Sequence, residues 1–274
     1  MLLKEKVKQS LNEIISRIRD IPKVGVVLGS GMGDFARHIQ HPVVIPASDI
    51  PHYPISTVPG HEGRLLFGQL ENVPVVCVQG RVHYYEGYSL QHVTYYVHVL
   101  ASLGVDTLFL TTASGGLNPS FEPGNLMLMT DQLNFTLTNP LIGPPDDQLG
   151  PRFPDMSQPF DPGLQQRARA AADKVGLNLR EGVFCWVTGP NYETAAEVRA
   201  LQKLGGDAVS MSTAPEVIVA RQRHLKVLGL SLITNMSTGI SKVELTHQDV
   251  TRMAGQAGSN LQNLMREMIA GLKE

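Results

Sequence analysis

An α/β fold with a central mixed, mostly parallel β-sheet flanked by helices is the class this sequence predicts, and three observations predict it. Short runs rich in Val, Ile and Leu, at Val24–Leu28, Asp106–Leu110, Gly182–Val187 and Lys226–Thr234, have the length and β-branched content of buried strands. Between them lie stretches with apolar residues every three or four positions, the mark of amphipathic helices. No linker or internal repeat interrupts the 274 residues, so residues 1–274 are expected to form a single domain with a large core.

The elements follow in chain order. Val7, Leu11, Ile14, Ile15 and Ile18 share one helical face, and Pro22 closes that helix. Val24–Leu28 then leads into Gly29-Ser30-Gly31-Met32-Gly33-Asp34. This loop lacks the Gly-Lys-Ser/Thr of a Walker A loop. It fits a permissive G-x-G-x-x-A dinucleotide pattern, an anion-binding nest of backbone N–H groups, or a tight turn. The His- and Pro-rich stretch 37–60 reads as a surface excursion, with no acid or Cys at metal-ligand spacing.

Strands at Leu65–Leu70 and Pro74–Val78 are joined through Glu71-Asn72, and the second runs into Gln79-Gly80-Arg81-Val82-His83-Tyr84-Tyr85-Glu86. Arg81 there offers a fixed fork for oxyanions, and His83 a second donor that Glu86 can tune. A plain Arg81–Glu86 pair across a turn fits the same residues. Ser89 introduces a helix ending near Gly104. Asp106–Leu110 leads into Thr111-Thr112-Ala113-Ser114-Gly115-Gly116, read as a second glycine turn like that at Ser30, and Leu126–Thr130 continues the sheet.

Residues 134–163 hold seven prolines and are expected to be irregular, as a lid, a binding loop or a subunit contact. Asp161-Pro162 opens the next helix. After Gly182–Val187, a turn through Gly189-Pro190-Asn191-Tyr192-Glu193-Thr194 precedes a helix from Ala195. A short strand at Asp207–Ser210, a helix from about Glu216, the strand Lys226–Thr234 and a helix capped by Thr246 complete the chain.

Composition narrows the function classes. With 23 basic and 25 acidic residues the formal charge is −2 and no long run of one sign occurs, which argues against nucleic acid and acidic membrane surfaces as partners. Cys77 and Cys185 sit in apolar runs and read as buried free thiols of a reducing compartment. There is no secretory leader and no membrane-length apolar run, so a cytoplasmic location is expected.

Seven segments in order carry a specific resemblance: Leu-Gly-Ser-Gly at 28–31, Ser-Thr-Val-Pro-Gly-His at 56–61, Gln-Gly-Arg-x-His-x-Tyr-Glu-Gly-Tyr at 79–88, Gly-Gly-Leu-Asn-Pro at 115–119, Gly-Pro-x-Tyr-Glu-Thr at 189–194, Met-Ser-Thr-x-Pro-Glu-Val-Ile-Val-Ala-Arg at 211–221 and Ile-Thr-Asn at 233–235. The chain resembles the purine nucleoside phosphorylase family, in the trimeric branch that also holds the methylthioadenosine phosphorylases. The resemblance implies a phosphorylase/hydrolase-like fold and reversible phosphorolysis of purine ribo- and 2′-deoxyribonucleosides with inversion at C1′. Inorganic phosphate is then a co-substrate, and neither cofactor nor metal is expected.

By that resemblance Ser30, His61, Arg81, His83, Ala113 and Ser212 would hold or flank phosphate. Tyr85, Met211 and His247 would face the sugar, and Tyr192, Glu193 and Asn235 the base. Asn235, His83 and Glu193 would serve catalysis. Phe153 matches a position that enters the adjacent subunit's site, implying a homotrimer. Asn235, where the methylthioadenosine branch has Asp, predicts inosine and guanosine over adenosine. Thr112, Ser114 and Gln132 depart from the usual residues, and a binding protein without turnover is the alternative from another class.

Overall fold

Strand assignments in the computed structural model follow the apolar runs closely and lengthen several of them. It describes residues 1–58, 60–241 and 247–272, and the side chains at 247–249, 251 and 256 lie outside that description, as does Thr246. The chain runs α1 (Leu3–Arg17), β1 (Val24–Leu28), β2 (Gln40–Pro46), β3 (Arg64–Leu70), β4 (Val73–Gln79), α2 (Leu90–Val93) and α3 (Tyr95–Leu103). It continues with β5 (Thr107–Gly116), β6 (Leu126–Asn134), α4 (Pro162–Lys174), β7 (Arg180–Trp186), α5 (Ala195–Lys203), β8 (Ala208–Ser210), α6 (Ala214–Gln222), β9 (Lys226–Met236) and α7 (His247–Ala270).

Local chemistry sets the boundaries. Asp161 accepts from the Leu164 N–H at the head of α4, and Ser89 from the His92 N–H at the head of α2. Thr194 and Glu197 form a reciprocal capping box on α5. Glu71 and Asn72, at φ 51 and 61, make the left-handed two-residue turn that joins β3 to β4.

All nine strands form one sheet in the order β2-β3-β4-β1-β5-β8-β7-β6-β9, and β9 also pairs with β5. That last pairing closes β5, β8, β7, β6 and β9 into a ring, a barrel-like half that alternation of strands and helices did not announce. The sheet is mixed: β1–β4, β1–β5, β5–β9, β6–β7 and β7–β8 are parallel, and β2–β3, β3–β4, β5–β8 and β6–β9 antiparallel. Two apolar layers sandwich it. One centres on Tyr96, Phe160, Phe184 and Trp186, the other on Phe35, Phe109, Leu264 and Met265.

Two readings need correction. The surface excursion at 37–60 contains β2, an edge strand that leaves most of its side chains exposed and so carries no alternating apolar signal. The supposed turn at Thr111–Gly116 is strand: β5 continues to Gly116, with a register shift against β9 between Ser114 and Gly115. Small residues there reflect close approach of neighbours rather than a reversal. No helix among the described residues is long and apolar enough to cross a membrane.

Candidate active site

The site arises where β5 changes partners. Its first half pairs with β1 as far as Leu110, and on the same side its last two residues pair with β8. Between them Thr111–Ser114 have no strand on that side, and the sheet opens at the carboxyl ends of β1, β4, β5 and β9, the place where α/β sheets hold ligands. The carbonyls of Thr111 and Ala113 point into the opening, taken by Arg81 Nη1 (3.1 Å) and Ser210 Oγ (2.9 Å). Because N–H and C=O of one strand residue point the same way, the Ala113 N–H faces the opening too.

Glycines bring the neighbouring loops close. A Cβ on Gly29 would lie 2.8 Å from the Thr111 carbonyl and from Thr112 Cα, and its N–H bonds to Thr111 Oγ1 at 3.0 Å. Gly80 combines φ +93 with a Cβ position 2.9 Å from the His61 backbone. These contacts set Ser30, His61 and Arg81 side by side.

Arg81 is almost wholly buried. Its Nη2 donates to Ser212 Oγ at 2.6 Å and to Thr213 Oγ1 at 3.3 Å, and its Nε lies 3.0 Å from Glu216 Oε1. Arg81 thus faces Glu216 rather than Glu86, the alternative partner that the sequence also allowed. Thr213 sits at φ 78, ψ −54, with the Ala214 N–H bonded to the Ser212 carbonyl at 3.0 Å. This is a three-residue γ-turn, a conformation that β-branched residues avoid. Strain of that kind concentrates at functional sites.

Glu86 instead joins two loops. Its Oε1 accepts from the His83 N–H (2.7 Å) and His83 Nδ1 (2.9 Å), and its Oε2 from the N–H (2.6 Å) and hydroxyl (2.8 Å) of Thr57. Its carboxyl has to overcome burial, yet these four donors hold it down at about 2. A carboxylate can only accept, so the His83 proton is on Nδ1 and Nε2 is an acceptor in the neutral ring. Burial lowers the pKa of His83 despite Glu86, which favours the neutral ring. The His83 ring stacks on Tyr85 at 4.7 Å and 11°.

The ring nitrogens of His61 reach Ser30 Oγ (3.2 Å) and the Arg81 carbonyl (2.8 Å). Burial, then the neighbouring His83, push its pKa to about 4. It does not titrate near neutrality.

Ser30, Arg81, His83, Tyr85, Ala113, Met211 and Ser212 line one cleft together with Tyr192, Glu193 and Asn235. Asn235 is oriented locally: the Thr234 hydroxyl donates to its Oδ1 at 2.9 Å, and its Nδ2 donates to the Met236 carbonyl at 3.2 Å. One amide hydrogen remains for a ligand. Burial raises the pKa of Glu193 above its ordinary value.

Two expected residues stand apart from this cleft, and the side chain of a third lies outside the described residues. His61 lies behind Ser30 rather than in the lining. Phe153 is 87% exposed and lines a separate groove with Arg152, Met156 and Ile218. The His247 side chain lies outside the described residues, although Val250, one turn further along α7, reaches the lining. Thr112 and Ser114 line the cleft, whereas Gln132 belongs to the Phe153 groove. Glu216, Thr213 and Ser210 were not singled out in sequence. Glu216 was visible only as part of Met-Ser-Thr-x-Pro-Glu, with nothing nearby to tie it to Arg81.

Comparison with known proteins points one way. Residues 23–270 match the phosphorylase superfamily. Purine nucleoside phosphorylase 1 of Geobacillus stearothermophilus is 47% identical over 266 residues, covering 97% of each chain. The Bos taurus purine nucleoside phosphorylase is 43% identical over 94% of this chain and 92% of its own. Among solved structures, Schistosoma mansoni purine nucleoside phosphorylase in complex with adenosine superposes with TM-score 0.94 at 35% identity, covering 98% of both chains. Isoform 2 from the same organism, with cytosine and ribose-1-phosphate, gives 0.93 at 37% identity, over 98% of this chain and 96% of that one.

Proposed function

The chain belongs to the purine nucleoside phosphorylases of the phosphorylase superfamily, pentosyltransferases that use inorganic phosphate as co-substrate, and from that premise we propose how its cleft divides the work. Phosphate occupies the end formed by Ser30, Arg81, His83, Ser212 and the Ala113 N–H. The purine lies against Tyr192, Glu193 and Asn235, and the pentose between them against Tyr85, Met211 and His247. The observation that supports this most directly is that one cleft is lined by a buried guanidinium, a strand segment with free N–H groups, a carboxyl group and an oriented amide.

Cleavage of the glycosidic bond develops positive charge on the pentose and negative charge on the purine. The phosphate dianion below the ring both stabilises that cation and attacks C1′, so no protein nucleophile is needed. His83 Nε2 accepts the remaining phosphate proton, which turns the unprotonated oxygens towards the sugar. The spare amide hydrogen of Asn235 meets N7 as charge builds there. Glu193 accepts the N1–H of a 6-oxopurine and, with guanine, the 2-amino hydrogen.

Adenine presents no N1–H, leaving the Glu193 carboxylate unmatched, so inosine and guanosine are preferred to adenosine. The adenosine and hypoxanthine complexes of the Schistosoma enzyme support a purine site in this fold. The chain acts as a single domain over 1–274, and in a homotrimer, with the exposed Phe153 entering the neighbour's sugar site. Arg81→Ala and Glu193→Gln test the division: the first raises the KM for phosphate, the second the KM for inosine. An exchange of those effects overturns it.

A further inference from the structure

Resting on the assignment of phosphate to Arg81, we infer that Glu216 is a built-in counter-anion that competes with phosphate for the Arg81 guanidinium and so sets how tightly phosphate is held. Glu216 is completely buried on α6, and its Oε1 lies 3.0 Å from Arg81 Nε. It does not line the cleft, so it touches Arg81 and not the ligand. The other atoms that hold the guanidinium are neutral: Thr111 O, Ser212 Oγ and Thr213 Oγ1. The charge of Arg81 is thus opposed from behind by one carboxylate and remains available from the front to one anion.

The local backbone is arranged to keep this opposition. The γ-turn at Thr213 starts α6 directly after Ser212, so the residue that accepts from Nη2 and the residue that faces Nε are four positions apart on a rigid corner. A buried cation left alone is costly, and the facing carboxylate offsets part of that cost in the phosphate-free protein, although Arg81 Nε and both Glu216 oxygens make no hydrogen bond. The carboxylate also weakens the attraction for an incoming dianion, because in a poorly polarisable interior two anions near one cation repel each other. Glu216 is therefore a positioning and charge-balancing residue acting through Arg81. It maintains the fold without phosphate and keeps phosphate exchangeable.

The test is Glu216→Gln, which keeps shape and an acceptor oxygen and removes the charge. Phosphate affinity by calorimetry, KM for phosphate and for inosine, and Tm with and without phosphate are measured on the full chain. The expected result is a phosphate Kd lowered about tenfold, an inosine KM within twofold of the parent, and a lower Tm that phosphate raises by more than it raises the parent's. A purely structural residue would lower Tm equally in both buffers and leave the phosphate Kd unchanged, and that outcome, or weaker phosphate binding, overturns the inference. If Glu216→Gln folds in phosphate buffer but not in a phosphate-free buffer, the inference is supported. If it folds in neither, Glu216→Asp decides: its withdrawn carboxylate must tighten phosphate severalfold, and an unchanged Kd overturns the proposal. Arg81→Ala separates the two levels. Loss of phosphate binding there with an unchanged Glu216→Gln refutes the counter-anion alone, whereas unchanged phosphate binding in Arg81→Ala refutes the phosphate assignment.

Discussion

Glu86 grips His83 twice, at the backbone N–H (2.7 Å) and at ring Nδ1 (2.9 Å), while its other oxygen holds the backbone and hydroxyl of Thr57. One carboxylate thus fixes the tautomer of a ring in the cleft and ties the loop that carries His61 to the loop that carries Arg81. Glu86→Ala is expected to raise the phosphate KM roughly ten- to a hundredfold, because several donors lose a buried acceptor together. Steady-state kinetics with phosphate as the varied substrate measure it.

The same residue sets an acid limit on stability. The folded-state pKa of Glu86 is depressed to about 2 from 4.5, so its contribution is present above 4.5 and is lost as pH falls towards 2. Denaturation followed between pH 6 and pH 2 should show parent and Glu86→Gln converging in stability at the acid end, with the parent ahead near neutrality.

Activity has a different acid limit. Burial raises the pKa of Glu193, so it protonates at a higher pH than a free glutamate and loses the acceptor proposed for a purine N1–H. The kcat/KM for inosine should therefore fall on an acid limb displaced above the ordinary glutamate range. The adenosine-to-inosine ratio should rise along that limb, since neutral Glu193 can donate to the bare N1 of adenine. Glu193→Gln should cost inosine roughly a hundredfold or more and flatten the limb.

Phe153 is an apolar ring held 87% exposed, with the Arg152 guanidinium carbon 5.9 Å from its centroid. Phe153→Ala is expected to raise the nucleoside KM about tenfold, as loss of a buried aromatic anchor does, and to leave the phosphate Kd unaltered. Sedimentation of the parent as a trimer accompanies that result. A fully active monomer would overturn the shared site.

Cys77 and Cys185 are buried, and burial pushes both thiols to about 12. Reaction with a thiol-specific chromogenic reagent at pH 8 should be negligible in the folded protein and should release two equivalents after denaturation.

Much of this was readable in the chain because the signals were local. Val24–Leu28 announces a buried strand by its own composition, Asp161-Pro162 and Ser89 announce helix starts, and Arg81 and His83 stand together after a strand. What was not readable depended on contacts between distant residues. β2 exposes its side chains and has no periodic signal. Thr111–Gly116 looks like a turn because of its paired glycines, and the reason Gly115 and Gly116 lack side chains is the nearness of Ser237 and Met236, which only the folded sheet reveals. Glu216 meets Arg81 across the fold, so the partner nearest in sequence, Glu86, was the natural but mistaken alternative.

The most direct test of the central claim, that one cleft sets phosphate below the sugar and a 6-oxopurine against Glu193 and Asn235, is release of free base from inosine, guanosine and adenosine with and without inorganic phosphate. The account predicts release from inosine and guanosine that requires phosphate and yields pentose 1-phosphate, with adenosine turned over far more slowly. Release that ignores phosphate, or adenosine cleaved as fast as inosine, would contradict it.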